Sequence, residues 1–338
     1  MLSCKTLVWI GALSYSLYLW HWPVLAFLRY YTGAEVLSAG FSLLFILLTL
    51  VLSIISYYGV ERVFRSKRTN KKHALGWVLL AGSVLGTSQA IAKVNAIFTP
   101  EQLPIEYRRY ADPETICHGE IVGDCLQGDL DSDREILVLG DSHGAMLNHF
   151  FDYIGKELGF KARIITASSC VTIPGFDYER IPEWARQPCI NQIDIAKEYM
   201  QQTEIIVLAG MWSYQALSQE FIFSLESLFD NNQHKFFILS QVPKLNREPD
   251  RVTRFQYLGL TAQQATDTGY DYANSIIEGV AQNFDYVDFI RLDELSVFNS
   301  IPFYGNELMY LDSHHLNEMG SLIYAQSARD VIGVYLAN

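Results

Sequence analysis

The 338-residue sequence is poor in basic side chains: 25 Lys and Arg stand against 37 Asp and Glu, a net charge of -12. Such a balance offers no positive surface for a phosphate backbone, so nucleic acid is excluded as a partner. Cysteine is scarce, at five residues, and no C-x-x-C or H-x-x-x-H spacing occurs. Motif-type metal binding is therefore not expected, and no cofactor is implied. The first apolar run is too long for a signal-peptide core and lacks an Ala-x-Ala exit, which argues against a cleaved leader. Internal repeats and low-complexity tracts are absent as well.

What is present divides the chain. Up to about residue 95 the sequence is apolar, broken only by a basic cluster; beyond it acidic residues dominate and apolar runs shrink to strand length. Stretches 7–30, 41–60 and 74–92 approach the ~20 residues that a bilayer-spanning helix needs. Residues 1–95 are thus expected to form a membrane segment of three transmembrane helices, in contact with the lipid bilayer. Arg62, Arg65, Lys67, Arg68, Lys71 and Lys72 lie between the second and third stretches, whereas the loop 32–38 carries Glu35 and no base. Basic residues stay cytoplasmic, so the amino terminus is expected inside and everything after about residue 97 outside. Tyr30, Tyr31, Tyr57 and Tyr58 fall at span ends, where interfacial aromatics belong.

Cys117, Cys125, Cys170 and Cys189 all lie in the outer part, an even set in an oxidising space. Four cysteines allow three pairings. The local ones, Cys117 with Cys125 and Cys170 with Cys189, are preferred because each closes a loop beside an expected strand.

Residues 96–133, with Pro100, Pro104 and Pro113, read as an extended extracytoplasmic linker tied by its own disulfide. Residues 134–338 alternate short apolar runs with amphipathic stretches. Strands are expected at 135–139, 162–166, 204–208, 235–240 and 286–289, and helices at 144–158, 192–201, 218–229, 268–281 and 317–335. The fold class is α/β, a sandwich of one domain whose parallel sheet is wrapped by helices.

Two motifs carry chemistry. Gly140-Asp141-Ser142-His143 follows the strand EILVL and opens a helix. A serine on that turn projects at the carboxyl edge of the sheet, where open α/β folds bind ligands, beside first-turn N–H groups able to stabilise an oxyanion. A helix cap at Ser142 and a turn at Asp141 are the plainer use of the same residues. The second motif is Asp312-Ser313-His314-His315-Leu316, followed by Asn317 as an N-cap. A serine nucleophile needs a histidine to take its proton, and that histidine needs a carboxylate to fix its tautomer. One helical turn would bring Asp312 within reach of His315.

GDSH and DSHHL resemble the first and last blocks of the SGNH hydrolase family. The resemblance implies an SGNH-like three-layer sandwich, with Ser142 as nucleophile, His315 as general base and Asp312 as its orienter. A glycine and an asparagine usually complete the family's oxyanion hole. Here Gly210-Met211-Trp212-Ser213-Tyr214 stands at the asparagine block, with tryptophan in its place, and Ser168 or Ser169 stands near the missing glycine. Gly210, Trp212 and Tyr214 are candidates for oxyanion or substrate binding; packing under the sheet edge is the alternative for the two aromatics. The tryptophan resembles SGNH domains fused to acyltransferase-three membrane proteins. WIGALSYSLYLWHWPVL and YYGVERVFR are similar to the last spans of those proteins, with His21 as a polar group inside the first. The earlier spans, thought to deliver the acyl donor, have no counterpart in this chain. The resemblance implies a multi-pass protein of a bacterial inner membrane, with a periplasmic or extracellular domain that moves an acyl group, expected to be acetyl, onto an envelope glycan through an acyl-serine. The alternatives are a carbohydrate esterase, and a non-catalytic fragment that complements a separate membrane half.

Overall fold

The computed structural model describes residues 5–34, 36–62, 71–97, 103–230, 234–260, 264 and 266–336. The chain divides into two compact units, Met1–Pro100 with Arg251–Gln263, and Glu101–Asp250 with Gln264–Asn338.

In the first unit α1 (Lys5–Thr32) packs on α2 (Ala39–Ser56), which continues as a π turn to Glu61; α3 (Lys71–Ile97) follows. Trp9 Nε1 donates to the Tyr58 hydroxyl at 3.1 Å and Ser16 Oγ to Glu61 at 2.9 Å, closing α1 on the end of α2. All three expected stretches are helical, but among the described residues only Ala39–Glu61 is long and apolar enough to cross a membrane. Lys5, His21 and Arg29 dilute α1, and Lys71, Lys72 and Lys93 dilute α3. Glu35, Arg65, Lys67, Arg68 and Pro100 lie outside the described residues.

The second unit is built on β1 (Leu126–Gly128), β2 (Glu135–Gly140), β3 (Lys161–Thr166), β4 (Ile205–Ala209), β5 (Lys235–Leu239) and β8 (Val287–Ile290), in the order β1-β3-β2-β4-β5-β8. All pairs are parallel except β1 with β3. The short strands β6 (Lys244–Leu245) and β7 (Thr266–Asp267) pair separately, as do β9 (Phe303–Tyr304) and β10 (Glu307–Leu308).

Strands β2, β4 and β5 are central because their apolar runs are continuous, the mark of a sheet covered on both faces. Side chains alternate between faces. Leu137, Leu139, Ile206, Leu208 and Phe236 enter one core with α6 (Glu183–Met200), α8 (Gln219–Asp230) and α10 (Gly269–Ala281). Ile136, Val138, Val207, Ala209 and Phe237 enter the other with α5 (Asn148–Leu158) and α11 (Glu318–Leu336). The result is three layers, each fully buried aliphatic side chain contributing about 1.5–3 kcal/mol. Asn317 caps α11 as expected, its Oδ1 accepting from Gly320 N at 2.7 Å. Helix α6 starts well before the expected residue 192 and runs through Pro188, its sixth residue.

Taken alone, the five parallel strands run second, first, third, fourth, fifth. Strand order therefore reverses between β2 and β4, and the crevice at their carboxyl ends is where open α/β sheets take ligands. Gly140 is required there, since a Cβ would lie 2.0 Å from Ala209 O of the neighbouring strand.

Residues 103–133 differ from the linker reading. They supply the edge strand β1, and His118 pairs as a bridge beside Thr166 at the end of β3. Ala111, Ile116, Cys117 and Cys125 are buried. Three prolines suggested an extended segment, and the segment is indeed irregular; what the sequence could not display is that its few apolar side chains find the sheet edge. Both local disulfides are formed, Cys117–Cys125 with Cα atoms 5.4 Å apart and Cys170–Cys189 at 5.8 Å. Loops of this size stabilise by about 3 kcal/mol per bridge through the unfolded chain.

Candidate active site

Ser142 begins α4 (Ser142–Ala145) directly after β2. Asp141 is the helix cap: its Oδ1 accepts from His143 N at 2.8 Å, leaving Ser142 free of that duty. The other Asp141 oxygen accepts from Met211 N at 2.9 Å and Gln215 Nε2 at 2.8 Å, tying the end of β2 to the segment after β4. Burial pushes the Asp141 carboxyl up, and these three donors oppose the rise.

Ser142, His315 and Asp312 are brought together. Ser142 Oγ lies 2.8 Å from His315 Nε2, and His315 Nδ1 lies 2.7 Å from Asp312 Oδ2. Asp312 reaches His315 through a non-helical turn, not the helical turn suggested by spacing. Its Oδ1 accepts from the backbone N–H groups of His314 at 2.8 Å and His315 at 2.7 Å. Burial pushes the Asp312 carboxyl up, but the imidazole and the two backbone donors outweigh it and hold the group below the usual carboxylate range.

Tyr110 stacks on the His315 ring, centroids 4.8 Å apart and planes within 15°. The Tyr110 ring also meets His118 edge-on at 6.2 Å. His118 is held between Thr166 Oγ1 and Ser168 Oγ, each at 3.0 Å, and burial together with nearby His315 lowers its pKa to about 4. Ser168 and Ser169 line the cleft, and Ser169 has φ +60°, a conformation that a non-glycine residue adopts only when its surroundings impose it. Here the surroundings are the Cys170–Cys189 bridge, the His118 contact to Ser168, and Gln215 Nε2 donating to Ser169 O at 3.3 Å.

Tyr214 lines the same cleft of about 320 Å³, with the Arg180 guanidinium 4.9 Å from its ring centroid. Trp212 does not reach it. It is fully buried, stacks on Phe221 and donates from Nε1 to Leu239 O at 2.8 Å, the packing alternative of the two uses considered above. Gly210 makes room for that ring, since a Cβ there would come within 2.7 Å of it. His21 hydrogen-bonds within its own helix, Nδ1 to Tyr18 O at 2.6 Å. A wider depression of about 790 Å³ at the amino ends of β4 and β5, beside Thr203, His234 and Lys235, has no comparable constellation.

Sequence reasoning missed Tyr110, His118, Gln215 and the partnership of His143 with His314. Tyr110, His118 and Gln215 stand in no motif, the first two coming from the segment before β1 and the third from the connection after β4; His143 and His314 each stand in a motif, but nothing in the sequence sets one beside the other. The one available signal was the pairing of Cys117 with Cys125, which brackets His118.

A serine hydroxyl, an imidazole and a carboxylate hydrogen-bonded in series at the switch point of an open α/β sheet form the arrangement of a serine-hydrolase centre. The chain belongs to the SGNH family: the family model described as SGNH domain (fused to AT3 domains) matches residues 109–329. The O-acetyltransferase OatA of Staphylococcus aureus (strain NCTC 8325 / PS 47) is 41% identical over 66 residues, covering 20% of this chain and 11% of that protein. The match thus spans about a tenth of that relative's length. Among solved structures, the periplasmic domain of a Salmonella ser. Paratyphi A lipopolysaccharide acetyltransferase aligns with a TM-score of 0.49 and 14% identity, covering 64% of this chain and 91% of that one.

Proposed function

We propose that the chain is an O-acyltransferase, acetyl being the group moved, that acylates a cell-envelope polysaccharide through an acyl-Ser142 intermediate. The observation that carries the reading is the continuous Ser142–His315–Asp312 hydrogen-bond series; family membership and the OatA match support it.

Ser142 Oγ attacks the carbonyl of the acyl donor while His315 Nε2 takes its proton. The oxyanion that forms is met by the N–H of Ser142, free at the first helical position, and by the turn at Ser168 and Ser169. Collapse expels the donor's leaving group, which takes the proton back from His315. A sugar hydroxyl then gives its proton to His315 and attacks the acyl carbon, regenerating Ser142 and releasing the glycan ester. The carboxylate of Asp312 keeps the proton of neutral His315 on Nδ1 and stabilises the imidazolium between steps. These steps call on no metal or cofactor.

Hydrolysis follows the same path with water as acceptor, so the two reactions part only after the acyl-enzyme. Of the two aromatic candidates for substrate binding, Tyr214 is the one that serves as sugar platform, because it faces the cleft and Trp212 has no exposed surface. With a donor ester and an envelope oligosaccharide present together, wild-type protein is expected to yield acylated sugar, and Tyr214→Ala to lower the transfer-to-hydrolysis ratio about tenfold, equivalent to about 1.4 kcal/mol of acceptor binding. If no glycan is acylated and pre-acetylated glycan is stripped in a Ser142-dependent reaction, the esterase reading replaces this one.

The same reading sets the protein in a bacterial inner membrane, with three helices crossing it, residues from about 97 onward outside, and the acyl donor delivered through further membrane spans. The apolar helix Ala39–Glu61 and the disulfides support it. A reporter active only outside the cytoplasm should work when fused after Pro100 and fail after Lys72; the reverse pattern would overturn the topology.

A further inference from the structure

We infer that His143, His314 and His315 form a site for a late first-row divalent cation, Zn2+ foremost, and that its occupation shuts off Ser142. The three imidazoles each offer a nitrogen, and these nitrogens all lie within 4.8 Å of one another. His143 Nε2 and His314 Nδ1 are 3.2 Å apart. Two ligands about 2.0–2.1 Å from one tetrahedral zinc are separated by about 3.3 Å, so the pair has the separation of two zinc ligands, and a turn of the rings out of their present hydrogen bond, centroids 5.4 Å apart, aims both lone pairs at one ion. The His314 and His315 ring centroids are 4.0 Å apart, and a turn of half-buried His314, which leaves the His315–Asp312 contact in place, sets its nitrogen beside His315 Nε2.

Two features prepare the site. The His143 ring is only 2% exposed and is fixed as the second residue of α4, so it loses little freedom on binding. Asp312 Oδ2, 2.7 Å from His315 Nδ1, makes the carboxylate–imidazole pair that orients a histidine toward zinc and raises its basicity. The same contact that readies His315 Nε2 to accept a proton readies it to donate to a cation. All three donors are imidazoles, a set that selects Zn2+ or Cu2+ over Mg2+ and Ca2+.

Each imidazole binds through a lone pair in its neutral form, His143 carrying its proton on Nδ1. The only contacts given up are the hydrogen bonds from Ser142 to His315 and between His143 and His314, and Ser142 Oγ or water completes the tetrahedron. A nitrogen that donates to a cation cannot take the serine's proton, so the bound ion and the general base exclude one another. The inhibition rests on the catalytic reading above; the binding does not.

The test uses the full chain in detergent micelles. Isothermal titration is expected to find one Zn2+ per chain and no Mg2+ binding at the same concentration. Zn2+ should block both aryl acetate hydrolysis and sulfonyl fluoride labelling of Ser142, with EDTA restoring both. His314→Gln, at a half-buried position, should weaken Zn2+ binding and inhibition together by roughly tenfold or more, since even an outer-shell change at a zinc site costs that much. Absence of stoichiometric binding, or equal affinity in the His314→Gln variant, overturns the site. A chain that binds Zn2+ through His314 yet never turns over an ester supports the site and removes the catalytic reading.

Discussion

Replacing Ser142 by alanine is expected to lower donor-ester turnover by roughly four to six orders of magnitude while leaving the fold intact, a loss of the size seen when a serine nucleophile is removed from an assembled triad. The hydroxyl is in contact at 2.8 Å with a histidine that a carboxylate orients, whereas Ser168, the other cleft serine beside a histidine, meets His118, whose second ring nitrogen faces Thr166 Oγ1. Nothing in the fold depends on it, because the helix cap is Asp141 and the close strand contact belongs to Gly140. The measurement pairs steady-state hydrolysis of an aryl acetate with sulfonyl fluoride labelling and peptide mapping. Wild-type protein should label at Ser142, and Ser142→Ala should neither label nor turn over. A variant that keeps a tenth of the wild-type rate would remove the nucleophile assignment.

Asp312→Asn is expected to cost about 10⁴-fold in kcat with a native melting curve. The amide can retain its oxygen toward the His314 and His315 N–H groups, so the turn is preserved. What it cannot do is accept from the His315 Nδ1 proton with the same atom while keeping that cap. Its NH2 instead faces Nδ1 and forces the proton onto Nε2, the nitrogen that must be free to accept from Ser142. The carboxylate is held below the usual range, so it stays ionised through the acidic region and a loss at neutral pH reports the tautomer alone. Asp312→Ala separates the two functions by removing cap and orienter together, and should also lower the melting temperature. A loss under tenfold in Asp312→Asn would mean that His315 is oriented by something else, Tyr110 being the neighbour in contact.

Much of this architecture was legible in the residues because it rests on short-range physics. The run of residues 136–139, unbroken by polar residues, fits a strand covered on both faces, and it lies in β2. The five parallel strands and the last helix fall within a residue or so of expectation because period and turn chemistry are local properties. The nucleophile motif and the Asp-x-x-His motif were legible for a chemical reason, since each is useless without the other.

The rest depended on long-range closure. Residues 103–133 look like a linker until β1 is seen to pair with β3, because a three-residue strand has too few side chains to display a period. Trp212 reads as a ligand platform or as core with equal ease, since burial is a property of the neighbours; only the packed sheet edge, with Leu239 O waiting for its Nε1, decides for core. The strain at Ser169 is likewise invisible in the string, as serine carries no mark of a left-handed backbone. The sequence by itself determined the layered α/β class, the apolar amino-terminal segment and the three residues in series at the sheet edge, because these follow from periodicity and from what a nucleophile requires. The tertiary structure alone decided which aromatic lines the cleft, that Tyr110 and His118 belong to it, and that three imidazoles meet beside Ser142. The three segments that carry these groups, around residues 110–118, 142–143 and 314–315, lie far apart along the chain, and only the fold sets the distances between them.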